Sequence, residues 1–330
     1  MIKSIIKSTF ALSLLTSMAF GADATYFNQV NGDVGKKYDK LVLGSAITDA
    51  VNFSVSDPHE RISDAYAKRY GNPKDPDYDK DWTTNIDNLG FFSMSNDVAL
   101  HDILLSSPQA AGFAPANELI YKKKSEDKTY IGHISPETML NITGVTNKKD
   151  REAFTKMYDP LDKWVSETFG GKVIKTPMVQ KLPAVPMMTF EFPVDRSGDV
   201  QDFADNFQDK YETAFEAHHY IIAGFKNFKE TYEDMELPFD KYDQFFVYGL
   251  CHFTFSYNLF NKGRPDAGVF APCAMYCYIE KGSNKMIVGM PRLSTWVSVM
   301  NMKDPKKIEW TKKIDKEIIS IMKSLGGKEI

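Results

Sequence analysis

The chain carries one sequence pattern twice, which limits it to folds built from two similar halves. Residues 107–132 (SPQAAGFAPANELIYKKKSEDKTYIG) align without a gap to residues 264–289 (RPDAGVFAPCAMYCYIEKGSNKMIVG) at a spacing of 157. Nine of the 25 positions from Pro108 to Gly132 are identical. The register continues to the ends of both copies, where ETFGGK and KSLGGK lie 156 residues apart. A repeat of about 145 residues is too long for a solenoid and predicts a tandem duplication of a whole domain.

The duplication divides the chain into two domains and a linker. We expect a first domain at 25–171, a linker at 172–187 and a second domain at 188–330. The linker contains three prolines, which favour an extended, semi-stiff chain. Between NGDVGKKYDKL and SGDVQDFADNF the spacing rises to 166, so the first copy holds about nine extra residues. They fall in 57–86, a polar stretch rich in Pro, Asp and Tyr that predicts an inserted surface loop.

Each copy repeats the same order of strand and helix patterns. A first strand (TFEFPV in the second copy) precedes a helix that begins near Asp33 or Asp199. Two further strand patterns and a hairpin turned by KSED or KGSN follow, and two helices end the copy. Ser135 and Asp304, each followed by proline, are the expected N-caps. The order β-α-β-β-β-β-α-α predicts an α+β fold in which each copy is a two-layer sandwich. The two tandem copies are expected to pair as a pseudo-dimer within the chain.

The first 22 residues have the composition of a secretory signal peptide. Lys3 and Lys7 form a short basic start. The apolar run TFALSLLTSMAF is shorter than the roughly 20 residues that a membrane-spanning helix needs. Small residues then permit cleavage after Gly21 or after Ala24. We therefore expect an exported, soluble protein of the bacterial periplasm, without stable membrane insertion after cleavage.

Net charge and missing motifs narrow the function classes. The formal net charge of −4 gives no basic surface for nucleic acid. The sequence lacks GxSxG, GxGxxG, a P-loop, HExxH, CxxC and CxxCH. Their absence argues against the commoner serine hydrolases, nucleotide enzymes, thioredoxin-like enzymes and c-type haem proteins.

The second copy carries a distinctive pair of segments. Its middle strand ends in YGLCHF, and 22 residues after Cys251 the strand FAPCAMYCYIE presents Cys273. This arrangement resembles the bacterial domain of unknown function 302, over nearly the whole mature chain as two copies. The first copy lacks both cysteines, but Asn96 and His101 fit the family's Asn and a His five residues later. The resemblance implies an α+β fold and a tendency of domains to pair, and it implies no established reaction.

The three cysteines admit three interpretations. Cys273 and Cys277 share one face of a strand at about 13 Å, beyond the roughly 7 Å Cα separation that a disulfide allows. All three thiols are buried and inert in the first interpretation. Cys251 forms a disulfide with one strand cysteine in the second. In the third, Cys251, His252, Cys273 and Cys277 supply a redox site or a soft-metal site for copper or zinc.

Three other residues are candidates for ligand binding. Asn96 and His101 lie at the start of a predicted short helix, and His101 is the most site-like histidine. Arg292 follows the last hairpin strand at a helix start, where it can hold an anion together with backbone amides. His133 follows Gly132 at a strand end and is expected at the surface.

Three functions remain open from the sequence. The first is a non-enzymatic two-domain protein whose paired sheets form a cleft for a small ligand or a partner protein. The second is a thiol-based metal-binding or redox protein centred on Cys251 and Cys273. The third is an enzyme whose site spans the domain interface and uses His101 of one copy and Cys251 of the other.

Overall fold

The computed structural model describes residues 21–56 and 62–330. The expected signal peptide lies almost wholly outside the described residues. Within them the chain forms two six-stranded antiparallel sheets with helices, an α+β architecture. No helix in this part of the chain has the length and hydrophobicity needed to cross a membrane.

The first unit contains six strands, six α-helices and one 3₁₀ helix among the described residues. Its strands are β1 (Asp23–Asn31), β2 (Ser54–Val55), β3 (Ile86–Ser95), β4 (Ala116–Lys123), β5 (Lys128–Ile134) and β6 (Lys172–Pro177). Its α-helices are α1 (Gly35–Leu43), α2 (Ala46–Val51), α3 (Ile62–Tyr70), α4 (Asp97–Ser106), α5 (Pro136–Thr143) and α6 (Lys148–Phe169), and a 3₁₀ helix spans Pro108–Phe113.

The second unit follows the same plan. Its strands are β7 (Met187–Pro193), β8 (Tyr220–Asn227), β9 (Tyr242–His252), β10 (Cys273–Glu280), β11 (Lys285–Pro291) and β12 (Lys328–Glu329). Its α-helices are α7 (Val200–Ala217), α8 (Phe228–Asp234), α9 (Phe253–Ser256), α10 (Ser294–Val299) and α11 (Pro305–Ser324). A π-helix spans Tyr257–Asn261 and a 3₁₀ helix spans Pro265–Phe270.

The two sheets have the same strand order. The first runs β2-β3-β4-β5-β1-β6 from edge to edge, and the second runs β8-β9-β10-β11-β7-β12. The predicted α+β fold with two similar sheet units is therefore confirmed. In both units the FAP segment that enters the hairpin contains a cis peptide bond, before Pro115 and before Pro272.

The predicted helix caps agree with the hydrogen bonds. Ser135 accepts from the Thr138 amide at the start of α5, and Asp304 accepts from the Lys306 amide at the start of α11. Asp199 caps α7 in the same way. Asp33 accepts a hydrogen bond of 2.8 Å from the Gly35 amide, one residue outside the assigned cap of α1. Such short polar side chains satisfy amides that have no partner within the helix.

Two segments differ from the sequence interpretation. Residues 57–86, expected as a surface loop, contain α3, whose Tyr66 and Tyr70 are buried against Phe253 and Tyr257 of the second unit. Aromatic burial explains why this polar stretch is ordered into a helix. Residues 172–187, expected as a linker, begin with β6, which pairs with β1 and so belongs to the first sheet. The Gly-Gly-Lys that ends each copy leads into such a strand, β6 or β12.

The two sheets meet through the short helices that precede each hairpin. The Asn117 side chain donates to the Gly268 carbonyl, and a Cβ at Gly268 would lie 2.8 Å from Phe91. Phe113 and Phe270 approach at 6.5 Å between ring centroids. On the opposite face of the first sheet, Tyr38 of α1 packs on Phe92 at 5.2 Å. Each sheet thus has one face toward the other unit and one toward its own helices.

Candidate functional site

Cys251 and Cys277 are buried in the second unit, and Cys273 is partly buried against its core. Cys273 pairs with Leu250 and Cys251 with Ile221, and all three thiols are free. Burial raises the pKa of Cys251 to about 11, although a hydrogen bond from Ser256 acts in the opposite direction. Burial also raises the pKa values of Cys273 and Cys277. The thiols are therefore protonated at neutral pH, which fits the interpretation of buried, inert side chains.

The space beside the cysteines is a small apolar cavity. Cys251, Cys273, Met290, Trp296 and Ile318 contribute to its wall, and its volume of about 20 Å³ accepts roughly one water molecule. Burial opposes the thiolate form that a soft metal requires. Among the described residues no group of three or more His, Cys, Asp and Glu side chains is arranged to hold a metal ion.

The candidates Asn96 and His101 have structural contacts. Asn96 caps α4 by accepting from the Ala99 amide at 3.1 Å. The two ring nitrogens of His101 lie 2.9 Å from Asp102 Oδ1 and 2.9 Å from the Pro238 carbonyl of the second unit. The structure therefore uses His101 to join the units.

His101 and Cys251 do not come together. Leu104, on the same helix as His101, accepts a hydrogen bond from Tyr242 at the first residue of β9. Cys251 is near the last residue of that strand. Nine residues of extended chain separate these two ends by roughly 30 Å. A site that spans the interface between them is not formed.

Arg292 and His252 also have partners within the protein. Arg292 donates to the Met187 carbonyl at 3.1 Å and to Glu329 at 2.8 Å, and thereby fastens β12 to the end of β7. His252 caps α9 with Nδ1, and burial lowers its pKa. His252 lines the small cavity beside Cys251 and Cys273, which has room for roughly one water molecule, and Arg292 does not line it.

A row of polar side chains that the sequence interpretation missed crosses the first sheet. His133 of β5 pairs with Tyr26 of β1, and Tyr26 pairs with Lys175 of β6. Glu118 of β4 is next in register to His133, because Leu119 pairs with Gly132. Directly opposite residues of antiparallel strands project to the same face. Glu118, His133 and Tyr26 are thus neighbours on the helix-covered face.

His133 is a buried imidazolium, not the surface residue expected from its position at a strand end. It is 1% exposed, and its Nε2 lies 2.9 Å from Asp162 Oδ1 of α6. Its Nδ1 lies 2.8 Å from the Ile134 carbonyl. Both partners are acceptors, so both ring nitrogens donate and carry hydrogen. Although burial opposes the charge, Asp162 and Glu118 raise the pKa of His133 to about 9.

Glu118 completes this acid–base cluster, which we define as Glu118, His133 and Asp162. Glu118 is 3% exposed, and its Oε2 has no hydrogen-bond partner among the described residues. Burial raises its pKa to about 7, against the attraction of His133. Two carboxyl groups thus share one buried cation, and the proton on Glu118 is weakly held near neutral pH.

The cluster reaches the surface at a polar groove. Asp162 is 20% exposed and forms part of the groove wall. The groove has a volume of about 470 Å³ and is lined by Tyr26, Asp159, Asp162, Lys163, Ser166, Glu167 and Lys175. Tyr26 is stacked on His133, with ring centroids 5.7 Å apart and planes inclined by 11°. The groove therefore has an acidic helical wall, an aromatic floor and a lysine on the opposite strand.

The second unit fills the same positions with apolar residues. At the repeat spacing of 157, Glu118 and His133 correspond to Met275 and Met290. Met290 pairs with Met188 of β7, as His133 pairs with Tyr26 of β1. Asp162 corresponds to Ile318 at the spacing of 156, and Ile318 is buried beside Met290. The fold can thus be built with an apolar core at these positions.

The sequence did contain a sign of this cluster. Glu118 interrupts the strand pattern of the first copy, and the aligned Met275 does not. The signal lies in the differences between the copies and not in their shared residues. Glu118, His133 and Asp162 are ionisable, whereas the residues aligned with them in the second copy are apolar.

Comparisons with known proteins add little to this geometry. No family model matches the chain, and no curated protein matches it. Among solved structures, it is similar to the crystal structure of an uncharacterized conserved protein DUF302 from Bacillus stearothermophilus. The identity is 21% and the TM-score is 0.33, with 41% of this chain and 96% of that chain covered. These values assign neither a family nor a function to the chain.

Proposed function

We propose that the protein is an exported binding protein for a small polar molecule, and that the polar groove of the first unit is its ligand site. The observation that carries this proposal is the acid–base cluster behind the groove, at positions where the second unit has Met275, Met290 and Ile318. The proposed activity is binding, without catalysis.

Energetics support a functional origin for the cluster. Burying ionised groups costs free energy, and well-packed apolar residues often replace a buried ion pair without loss of stability. The second unit shows that such residues fit this fold. Clusters of groups with perturbed pKa values beside a cleft are typical of functional sites. A polar cluster that the fold does not need is therefore best explained by what it binds.

In this proposal the second unit has a structural role and stabilises the first unit. The two units are proposed to be tandem copies of one domain, related to the domain of unknown function 302 by the motifs around Cys251 and Cys273. The shared strand order supports the duplication. The apolar cavity beside the cysteines is too small for a ligand, so the second unit is assigned a structural role.

Export is the remaining part of the proposal, and the basic, then apolar N-terminus supports it. Cleavage after Gly21 leaves β1 intact, because this strand begins at Asp23. Cleavage after Ala24 would remove a residue that is fully buried. We therefore propose that the mature periplasmic chain begins at Ala22, and mass spectrometry of the protein secreted by its host tests this end.

Binding in the groove is tested by NMR with three small probes, namely glycine, ethylammonium chloride and sodium acetate. Each is titrated to millimolar concentration into the ¹⁵N-labelled mature protein. At least one probe is expected to shift the amides of β1, β6 and α6, while the amides of the second unit stay in place. Absence of any such shift with all three probes would contradict the proposed site.

Two variants and a control make the test specific. The triple variant Glu118→Met, His133→Met and Asp162→Ile gives the first unit the residues of the second, and it should lose the shifts. Asp162→Asn is the milder change if the triple variant is unstable. Lys156→Ala alters an exposed residue on the same helix, outside the groove, and should leave the shifts unchanged. Shifts that survive the first two variants would place the probe elsewhere.

A further inference from the structure

The groove and the cluster together define which chemical class of ligand fits, an inference that rests on the proposed function. We propose that the groove binds an organic cation, such as an alkylammonium group, and that binding releases a proton from Glu118. Neither the ligand class nor the proton linkage follows from binding alone.

The local charge supports a cation. Acidic groups outnumber basic groups around the floor of the groove. The acids are Asp23, Glu118, Asp159, Asp162 and Glu167, and the bases are His133, Lys163 and Lys175. Most of these form internal pairs: His133 with Asp162 at 2.9 Å, Lys163 with Glu167 at 3.8 Å and Lys175 with Asp23 at 3.8 Å. The unpaired charge that remains in the groove is the negative charge of Asp159. Glu118 adds a second negative charge once it has lost its proton.

The pKa of Tyr26 reflects this negative environment, and the Tyr26 ring is a second group that can bind a cation. After burial, the groups that raise its pKa to about 12 are Asp162, Glu118 and Asp159, all of them acids. The Lys175 ammonium already lies 5.6 Å from the centroid of the Tyr26 ring. The electron-rich face of an aromatic ring attracts cations. A ligand cation that takes the place of the Lys175 ammonium would therefore meet the Tyr26 ring, with the Asp159 carboxylate in the same groove.

Proton release follows from the arrangement of the cluster. The titratable groups that face Glu118 come from four elements: His133 of β5, Tyr26 of β1, Tyr38 of α1, and Tyr158 and Asp162 of α6. His133 holds its charge through Asp162, and the tyrosines stay neutral because burial raises their pKa values. Glu118 is left as the group whose proton responds to added charge. A cation in the groove favours its carboxylate form.

The experiment compares ethylammonium with acetate at several pH values. The ¹³C shift of the Glu118 carboxyl group is followed from pH 5.5 to pH 8, with and without saturating probe. Ethylammonium is expected to lower the apparent pKa of Glu118 by about 0.5 or more, as one nearby charge does across partly solvated protein. By linkage, its affinity should then be about threefold higher at pH 8 than at pH 5.5.

Glu118→Gln provides the matched variant, because it keeps the shape of the side chain and cannot titrate. It should bind ethylammonium with an affinity that does not change over this pH range. Binding of ethylammonium with an unmoved pKa of Glu118 would overturn the proton linkage. Binding of acetate in place of ethylammonium would overturn the cation preference, while the groove would remain a ligand site. Failure of all probes to bind would overturn the proposed function itself.

Discussion

At the scale of single residues, the two similar cores differ at three equivalent positions, which are ionisable in the first unit and apolar in the second. His133, Glu118 and Asp162 form a compact ion cluster in the first unit. Met275 and Met290 hold the corresponding strand positions in the second, where Tyr211 contacts the Met275 sulfur at 3.1 Å. The difference between the cores is therefore chemical, since the strand positions are the same.

The cluster predicts how stability depends on pH. The pKa of His133 rises from 6.5 in the unfolded chain to about 9, and that of Glu118 from 4.5 to about 7. The folded protein thus binds more protons, so the free energy of unfolding should fall as the pH rises from about 5 to about 9. The stabilisation by His133 is complete below pH 6.5, and it is lost as the pH rises through about 9. The Glu118 contribution is lost earlier, between pH 4.5 and pH 7.

Urea unfolding at several pH values measures this slope. Each group contributes on the order of 3 kcal/mol over the range, from 1.36 kcal/mol per pKa unit. The triple variant that carries the residues of the second unit lacks both groups and serves as the control. Its free energy of unfolding should change less between pH 5 and pH 9, and an unchanged slope would refute the assignment.

The thiols give a second prediction at this scale. Because burial raises their pKa values, Cys251, Cys273 and Cys277 should resist alkylation by maleimide in the native protein at pH 7. After unfolding without reductant, intact mass should show three alkylated thiols. A single alkylated thiol would demonstrate a disulfide and favour that alternative.

At the scale of secondary-structure elements, the sequence was a good guide where the determinants are local. Asp199, Ser135 and Asp304 cap the helices that their positions indicated, and the KSED and KGSN turns join paired strands. It was a poor guide to the site. The environment of His133 is set by strand register and by the placement of α6, which lies almost thirty residues away in sequence at Asp162. Helix α3 was missed because its tyrosines are buried by the other unit.

The cap at Asn96 gives a prediction at this scale. Asn96→Ala should lower the free energy of unfolding by about 1 kcal/mol, because the Ala99 amide loses its acceptor. Asn227→Ala removes an asparagine cap of the same kind, at the start of α8, and should cost a similar amount. Neither variant should change the binding of ethylammonium. Loss of ethylammonium binding in the Asn96 variant would show that Asn96 contributes to the ligand site.

At the scale of the whole molecule, the two units are held together by buried aromatic and polar contacts. Tyr66 donates to Ser256 at 2.8 Å, and Tyr242 donates to the Leu104 carbonyl at 2.7 Å across the interface. Lys226 and Asp97 form an ion pair of 2.8 Å in the same interface. Such an interface couples the stability of the units, so we expect them to unfold in one transition.

Gly268 is the point at which this coupling is most easily disturbed. A side chain there would lie 2.8 Å from Phe91 and 2.9 Å from Leu119 of the first unit. Gly268→Val should therefore destabilise the protein by about 1–3 kcal/mol, as overpacking does. Hydrogen exchange should become faster in both units. Gly198→Val, at a glycine with open space around it, is the control and should have little effect.

The charge of His133 is the property on which the proposed site depends most directly. Selective ¹⁵N labelling of the histidines gives the protonation of both ring nitrogens by NMR, and the His133→Met variant assigns the signals among the six histidines of the chain. We predict that both nitrogens of His133 carry hydrogen at pH 7.5 and that the ring titrates near pH 9. A neutral ring at pH 7.5 would contradict the buried ion cluster, and with it the argument for a site in the first unit.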